Sequence, residues 1–180
     1  MRTPAPVLAL TLALAALPAA AQQAAKPELS RQDRHFTEHA LDGGIAEVQL
    51  GKLADQRAGS EAVRTFGQRM VTDHSEANQK LSAIANRLGM PAPKEISRGH
   101  RHTVDRLTAL SGADFDRAYM QTMVEDHRKD VKEFRKQAED GQNAELKSFA
   151  QQTVPTLEQH LRLAEDTQAK LHGEQAQVPR

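Results

Sequence analysis

Apolar residues recur three and four apart along four long stretches of this chain, and the stretches are separated by short breaks rich in glycine, proline and serine. That spacing marks one apolar stripe per helix. In the second stretch the stripe is Val63, Phe66, Met70, Ala77, Leu81, Ile84 and Leu88. In the third it is Met120, Val124, Val131, Phe134 and Ala138, and in the fourth Leu146, Ala150, Leu157, Ala164 and Leu171. The breaks can be read as well. Ser30 precedes a first helix expected over Arg31 to Arg57, with Asp33 placed three residues on as a short-armed capping-box partner. Gly59 ends that helix, and Ser60 is expected to cap a second one running to about Leu88. Gly89, Pro91 and Pro93 stop it. A connector from Lys94 to Leu110 carries a short helix in its second half. Ser111 and Asp114 open a third long helix ending at Asp140-Gly141, and Asn143 caps a fourth reaching about Leu171.

The fold class is therefore all-α, and four such rods, each about 40 Å long, pack most simply as a four-helix bundle. The connector between helices two and three is long for a plain antiparallel turn. It either turns back directly or runs along the bundle and makes helix three parallel to helix two, as in ferritin-like folds; the sequence leaves both open. Composition agrees with helices: Ala, Leu, Gln, Glu, Lys and Arg dominate, and β-branched runs are few.

The N-terminus reads as an export signal. Arg2 precedes an apolar run, Val7 to Leu17, and Ala19 to Ala21 suit cleavage after Ala21. Residues 1–21 are thus expected to be a signal peptide, 22–30 a linker, 31–171 the bundle and 172–180 a flexible tail. The chain holds no cysteine, which removes disulfides, thiol chemistry, iron–sulfur clusters and c-type haem attachment. No later segment is apolar enough to span a membrane. Loss of Arg2 with the signal leaves 23 basic residues against 24 acidic ones, so there is no electrostatic case for nucleic acid. Five Phe, one Tyr and no Trp make a poor stacking platform. The expectation is an exported protein, periplasmic or associated with the outer membrane, with an envelope protein as the kind of partner left open.

Polar residues interrupt the stripes in phase. His127 falls in the third-helix series 120, 124, 127, 131, 134. His74 lies seven residues before Leu81, His160 lies between Leu157 and Ala164, and Glu47 continues the first-helix series Phe36, Ala40, Gly43, Leu50. His74 and His127 sit near the midpoints of their helices, so they are level in either topology. Glu47 and His160 are each about one turn, roughly 5 Å, from theirs. Each helix thus directs one metal-ligand type inward: Glu47, His74, His127 and His160. Three imidazoles and a carboxylate suit one transition metal ion, zinc, copper or iron. Asp73, Asp126 and Glu158 flank the histidines as expected acceptors for their ring N–H groups. The competing reading is a buried polar layer that fixes helix register. A di-iron centre does not fit, because its Glu-x-x-His pattern is replaced by Val71, Val124 and Leu157 three residues before the histidines. Nothing indicates nucleophilic or acid–base catalysis, and no catalytic residue is assigned.

Four smaller features stand apart. Met70 to His74 and Met123 to His127 both read Met-Val-x-Asp-His. Thr65–Val71, TFGQRMV, resembles Ser148–Val154, SFAQQTV, either through internal duplication or through the general likeness of amphipathic helices. His35 and His39 are four apart and could chelate a surface metal, and RGHRH at Arg98–His102 holds a His-x-His.

Three longer segments, GGIAEVQLGKLADQRAGSEAVRTFGQRMVTDH, LSGADFDRAYMQTMVEDH and TVPTLEQHLRLA, together resemble an exported bacterial family, the domain of unknown function numbered four-one-four-two. The likeness spans about residues 31–171. It implies export and a ferritin-like four-helix bundle, with Glu47, Asp73, His74, Asp126, His127 and His160 on the family's recurrent polar positions. The family's Leu-Pro-x-Leu reads Val154-Pro155-Thr156-Leu157 here. The resemblance implies no established activity. The function expected is that of an exported helical protein binding a transition metal or small ligand between its helices in an envelope or stress role. The alternative is a non-catalytic envelope interaction protein with a buried histidine layer.

Overall fold

The structure is a computed structural model that describes residues 29–176. The expected signal peptide and most of the expected linker lie outside them. Five helices are present: α1 (Arg31–Arg57), α2 (Glu61–Arg87), α3 (Arg98–Thr108), α4 (Gly112–Asp140) and α5 (Ala144–Ala176). The count exceeds the four long rods of the sequence because α3 occupies most of the connector. No strand occurs among the described residues, and no helix there is long and apolar enough to cross a membrane.

Local chemistry accounts for most boundaries. The Asp33 N–H donates to Ser30 Oγ at 3.0 Å, and the Ser30 hydroxyl donates back to Asp33 Oδ2 at 2.7 Å, closing a box around the start of α1. Gly89 takes φ +79° and ends α2. Asn143 Oδ1 accepts from the N–H groups of Glu145 and Leu146 at the start of α5. Two expectations fail here. The Ser60 side chain makes no cap bond; instead Asp116, from α4, accepts from Gly59 N and Ser60 N at 3.1 and 2.8 Å. A long-range carboxylate takes both donors, so the local hydroxyl is not needed. α5 also continues past Leu171 to Ala176, running unbroken through Pro155.

Side-chain pairs set the directions. Gln68 reaches Asp55 across the α1–α2 turn. Arg128 and Arg135 of α4 pair with Glu165 and Glu158 of α5. Both hairpins are antiparallel. The start of α1 meets the end of α4 through Asp33 and Gln137, 2.6 Å apart, while the end of α1 meets the start of α4 through Gly59 and Asp116. Arg69 contacts Gln159, and Arg87 pairs with Glu145, so α2 and α5 are antiparallel too. It follows that α2 and α4 run the same way, and the connector must travel the length of the protein. On that path it lays α3 over the α1–α4 seam. Ser97 N and His100 Nδ1 bind Asp42, Arg106 donates to Thr122, and Leu107 is buried.

An offset of 83 residues carries α1–α2 onto α4–α5. It matches TFGQRMV to SFAQQTV, Phe36 to Tyr119 and Phe66 to Phe149. It also matches contacts. Asp33 accepts from Gln142 N and Asn143 N at 3.2 and 3.1 Å, the counterpart of Asp116 accepting from Gly59 N and Ser60 N. Each hairpin thus supplies a carboxylate that holds the other's turn. General amphipathic likeness does not produce matched long-range bonds, which favours internal duplication.

The interior has two apolar clusters. One gathers Leu50, Val63, Phe66, Met70, Phe115, Tyr119 and Met123; the other gathers Phe36, Leu41, Leu81, Phe134, Phe149 and Leu157. Phe36 and Phe134 meet edge to face at 4.9 Å in the second.

α1 and α2 approach closely because Gly51 faces Gly67. A Cβ on Gly51 would lie 2.5 Å from the Gly67 carbonyl oxygen and 2.9 Å from Val71 Cγ2. Gly51→Ala is therefore expected to destabilise by about 1–3 kcal/mol through overpacking, despite the ~1 kcal/mol that alanine gains by helix propensity. Urea unfolding of the two proteins measures the difference.

Candidate metal centre between the helices

The gap between the two apolar clusters is filled by four polar side chains, one from each long helix. Glu47 of α1, His74 of α2, His127 of α4 and His160 of α5 are 4, 6, 0 and 1 % exposed. Each is in step with the apolar residues above and below it on its own helix. His74 lies between Met70 and Leu81, and His127 between Val124 and Val131, so burying the stripe buries the polar group with it.

The rings converge. His74, His127 and His160 have centroids 5.7, 5.4 and 5.3 Å apart in the three pairings. One ligand atom from each lies within 4.8 Å of the other two. Ligands on a tetrahedral ion at about 2.0–2.1 Å stand roughly 3.4 Å apart, so small inward rotations close the set. Glu47 faces the same point: Oε2 is 2.8 Å from His74 Nε2, and Oε1 is 3.4 Å from His127 Nδ1. The short contact to His74 is not aligned as a hydrogen bond, and Nε2 remains without a partner.

Hydrogen bonds tie two rings from outside. His127 Nδ1–H donates to the Met123 carbonyl at 2.9 Å, and His160 Nε2–H donates to Asp73 Oδ2 at 2.7 Å. Their other nitrogens, His127 Nε2 and His160 Nδ1, are buried without partners, as are His74 Nε2 and Glu47 Oε1. A buried polar atom without a partner costs about 1–3 kcal/mol; His127 Nε2 and His160 Nδ1 carry that cost, while His74 Nε2 keeps its ion-pair contact with Glu47. One ring nitrogen held and the other bare, as on His127 and His160, is the arrangement of metal-ligating histidines. Glu47, His74, His160 and Asp73, but not His127, also line a partly open cavity of about 40 Å³.

Electrostatics divide the protons unevenly. Burial pushes the Glu47 carboxyl up, but His74, His127 and His160 together outweigh it and hold it at about 2. Burial opposes charge on His74, yet Glu47 and then Asp73 raise its pKa above the ordinary imidazole value. Burial, joined by His74 and His127, brings His160 down to about 4 against the pull of Asp73. The metal-free site thus favours a carboxylate on Glu47 and a proton on His74, and disfavours a proton on His160.

Asp73 takes a place beside the rings, but it serves His160 rather than its neighbour His74. Asp126 and Glu158 do not act as the expected acceptors. Asp126 pairs with Lys129 at 3.2 Å and Glu158 with Arg135 at 2.6 Å, because both point along the outer faces of their helices. The repeated Met-Val-x-Asp-His therefore supports a ring at only one of its two aspartates.

Two residues near the site were not anticipated as part of it. Asp130 lines the cavity, and its pKa is raised well above the carboxylate range by burial, then by Glu47, Asp126 and Glu133, with Lys129 opposing. The 83-residue offset that relates the hairpins places Asp130 on Glu47 and is the signal that could have found it. The Tyr119 hydroxyl is buried without a partner, its pKa raised by burial and by Glu47. Of RGHRH, His100 binds Asp42 and His102 is exposed.

The family described as a domain of unknown function, DUF4142, matches residues 18–167. Among curated proteins none matches the chain. Solved structures that share the fold include two DUF305 proteins. A DUF305 fragment from Deinococcus radiodurans has a TM-score of 0.69 at 21 % identity, covering 80 % of this chain and 99 % of that one. A candidate secreted protein DUF305 from Streptomyces coelicolor has a TM-score of 0.67 at 17 % identity, covering 78 % and 94 %.

The depressed pKa of His160 makes a pH prediction for metal-free protein. The unfolded chain takes up this proton near pH 6.5, and the folded one only near 4, so stability is lost as pH falls through that window. His74 contributes in the opposite direction, losing its stabilisation as pH rises above 6.5. His160→Gln should remove the acid-side loss, worth up to about 3 kcal/mol. Urea unfolding of wild type and variant with chelator present, at about pH 7 and about pH 4.5, measures it.

Proposed function

The chain belongs to the DUF4142 family, and we propose that it is an exported, ferritin-like four-helix-bundle protein that binds one transition metal ion between its helices in an envelope or stress role. The ligands are Glu47, His74, His127 and His160, with Asp73 orienting His160. The observation that carries this reading is the convergence of three buried histidines, one each from α2, α4 and α5, with Glu47 of α1 against two of them. Three nitrogens and one oxygen suit zinc, copper(II) or iron. Export rests on the N-terminal pattern of Arg2 and Val7–Leu17, and the crossover arrangement on the common direction of α2 and α4.

Binding has to displace the proton on His74 and draw the rings inward by about an ångström. Affinity should therefore fall as pH drops below neutrality. An ion that binds only the folded state raises stability by mass action, by about 2.7 kcal/mol at a hundred times Kd.

A second reading has one observation in its favour. Glu47 and His74 form an ion pair at 2.8 Å that offsets part of its own burial. On this view the layer only fixes helix register, in an envelope interaction protein.

The test is metal content and thermal unfolding of the mature, untagged protein with added zinc or copper. Metal binding predicts at least one more bound equivalent, and a larger rise in Tm, in wild type than in the His74→Ala/His127→Ala double variant. If wild type and variant take up the same amount of metal and their Tm values shift alike, the metal reading fails and the register reading stands.

A further inference from the structure

We propose that His35, His39 and Glu133 form a second transition-metal site, open to solvent and separate from the interior one. His35 and His39 lie one turn apart on α1, with ring centroids 3.8 Å apart. Glu133 reaches them from α4: its Oε1 is 3.8 Å from His35 Nδ1 and 3.9 Å from His39 Nδ1. One ligand atom from each of the three residues lies within 4.8 Å of the others. Ligand atoms around a tetrahedral ion stand roughly 3.4 Å apart, so both Glu133 separations are within about half an ångström of a bound geometry.

Glu133 is the part that distinguishes this group from a chance surface pair. Its Oε1 is buried and makes no hydrogen bond. Burial raises its pKa, with His39 and then His35 opposing. An oxygen held out of water between two imidazoles is an acceptor lacking a cation. The imidazoles themselves are accessible, with side chains 64 and 58 % exposed, which leaves coordination positions for water and allows exchange.

The site also breaks the internal repeat. The 83-residue offset takes His35, His39 and Glu133 to Ala118, Thr122 and Leu50, none of them a comparable ligand. On that related half of the α1–α4 seam α3 lies over the surface, with Arg106 bonded to Thr122 and Leu107 buried alongside Leu50. The half left uncovered by α3 holds the histidines. A helix carrying two histidines four apart can hold zinc. The chemistry argued from the three donors is binding of a divalent borderline ion, such as zinc or copper(II).

Residue-resolved carbethoxylation of the mature protein tests this with zinc as the probe. His35 and His39 share one tryptic peptide, between Arg34 and Lys52, and exposed His102 is the internal control. Zinc should slow modification of His35 and His39 but not of His102. Glu133→Gln should abolish the protection, and His35→Ala/His39→Ala should lose one zinc equivalent in a competition titration. All three side chains are at least partly exposed, so the variants should fold; circular dichroism melts check that. Equal modification with and without zinc, protection that survives Glu133→Gln, or unchanged stoichiometry in the double variant would each overturn the site. These readouts are separate from the interior histidines, so this inference can fail without the other.

Discussion

A carboxylate closed off from water at the centre of an apolar protein needs compensating charge close by, and Glu47 finds it first in His74 at 2.8 Å, with the rings of His127 and His160 completing the layer. Burying an isolated charge is far more costly than any one packing contact can offset. The four side chains must therefore arrive at one level together, and that requirement sets the rest. It fixes the rotation of each helix, since a slip of one residue turns a ring by about 100°. It also divides the apolar interior into two clusters, one on each side of the polar layer.

The repeat and its exceptions explain how the layer became lopsided. Offset by 83 residues, the two hairpins share their turn clamps and two aromatic positions, and Glu47 corresponds to Asp130. The histidines do not obey the relation: His74 corresponds to Leu157, His127 to Gly44, and His160 to Ala77. A symmetric scaffold thus carries an asymmetric set of donors. Helix α3 adds a second asymmetry by covering one half of the α1–α4 seam and leaving the other open.

Helix limits were legible because Ser30, Gly59, Gly89, Asn143 and the prolines act on their neighbours. The inward set was legible because stripe phase and helix midpoints are properties of each helix alone. What required other helices was not. The direction of the connector depends on which seam α3 can cover. The cap of α2 belongs to Asp116, far along the chain. Asp126 and Glu158 follow their histidines' neighbourhood in sequence but not in space, because each sits where an outward cation competes for it. His35 and His39 were visible as a pair, while Glu133 joins them only once α1 and α4 are known to be antiparallel neighbours.

The two turn clamps have a consequence for how the molecule comes apart. Asp33 leaves the first hairpin to hold the second one's turn, and Asp116 does the reverse. Neither half carries its own fastening. A breach at one end strands two amide groups and a carboxylate there, and it loosens the half that remains as much as the half that leaves. The chain is thus joined like two clasped hands, and opening it piecemeal is disfavoured at both ends.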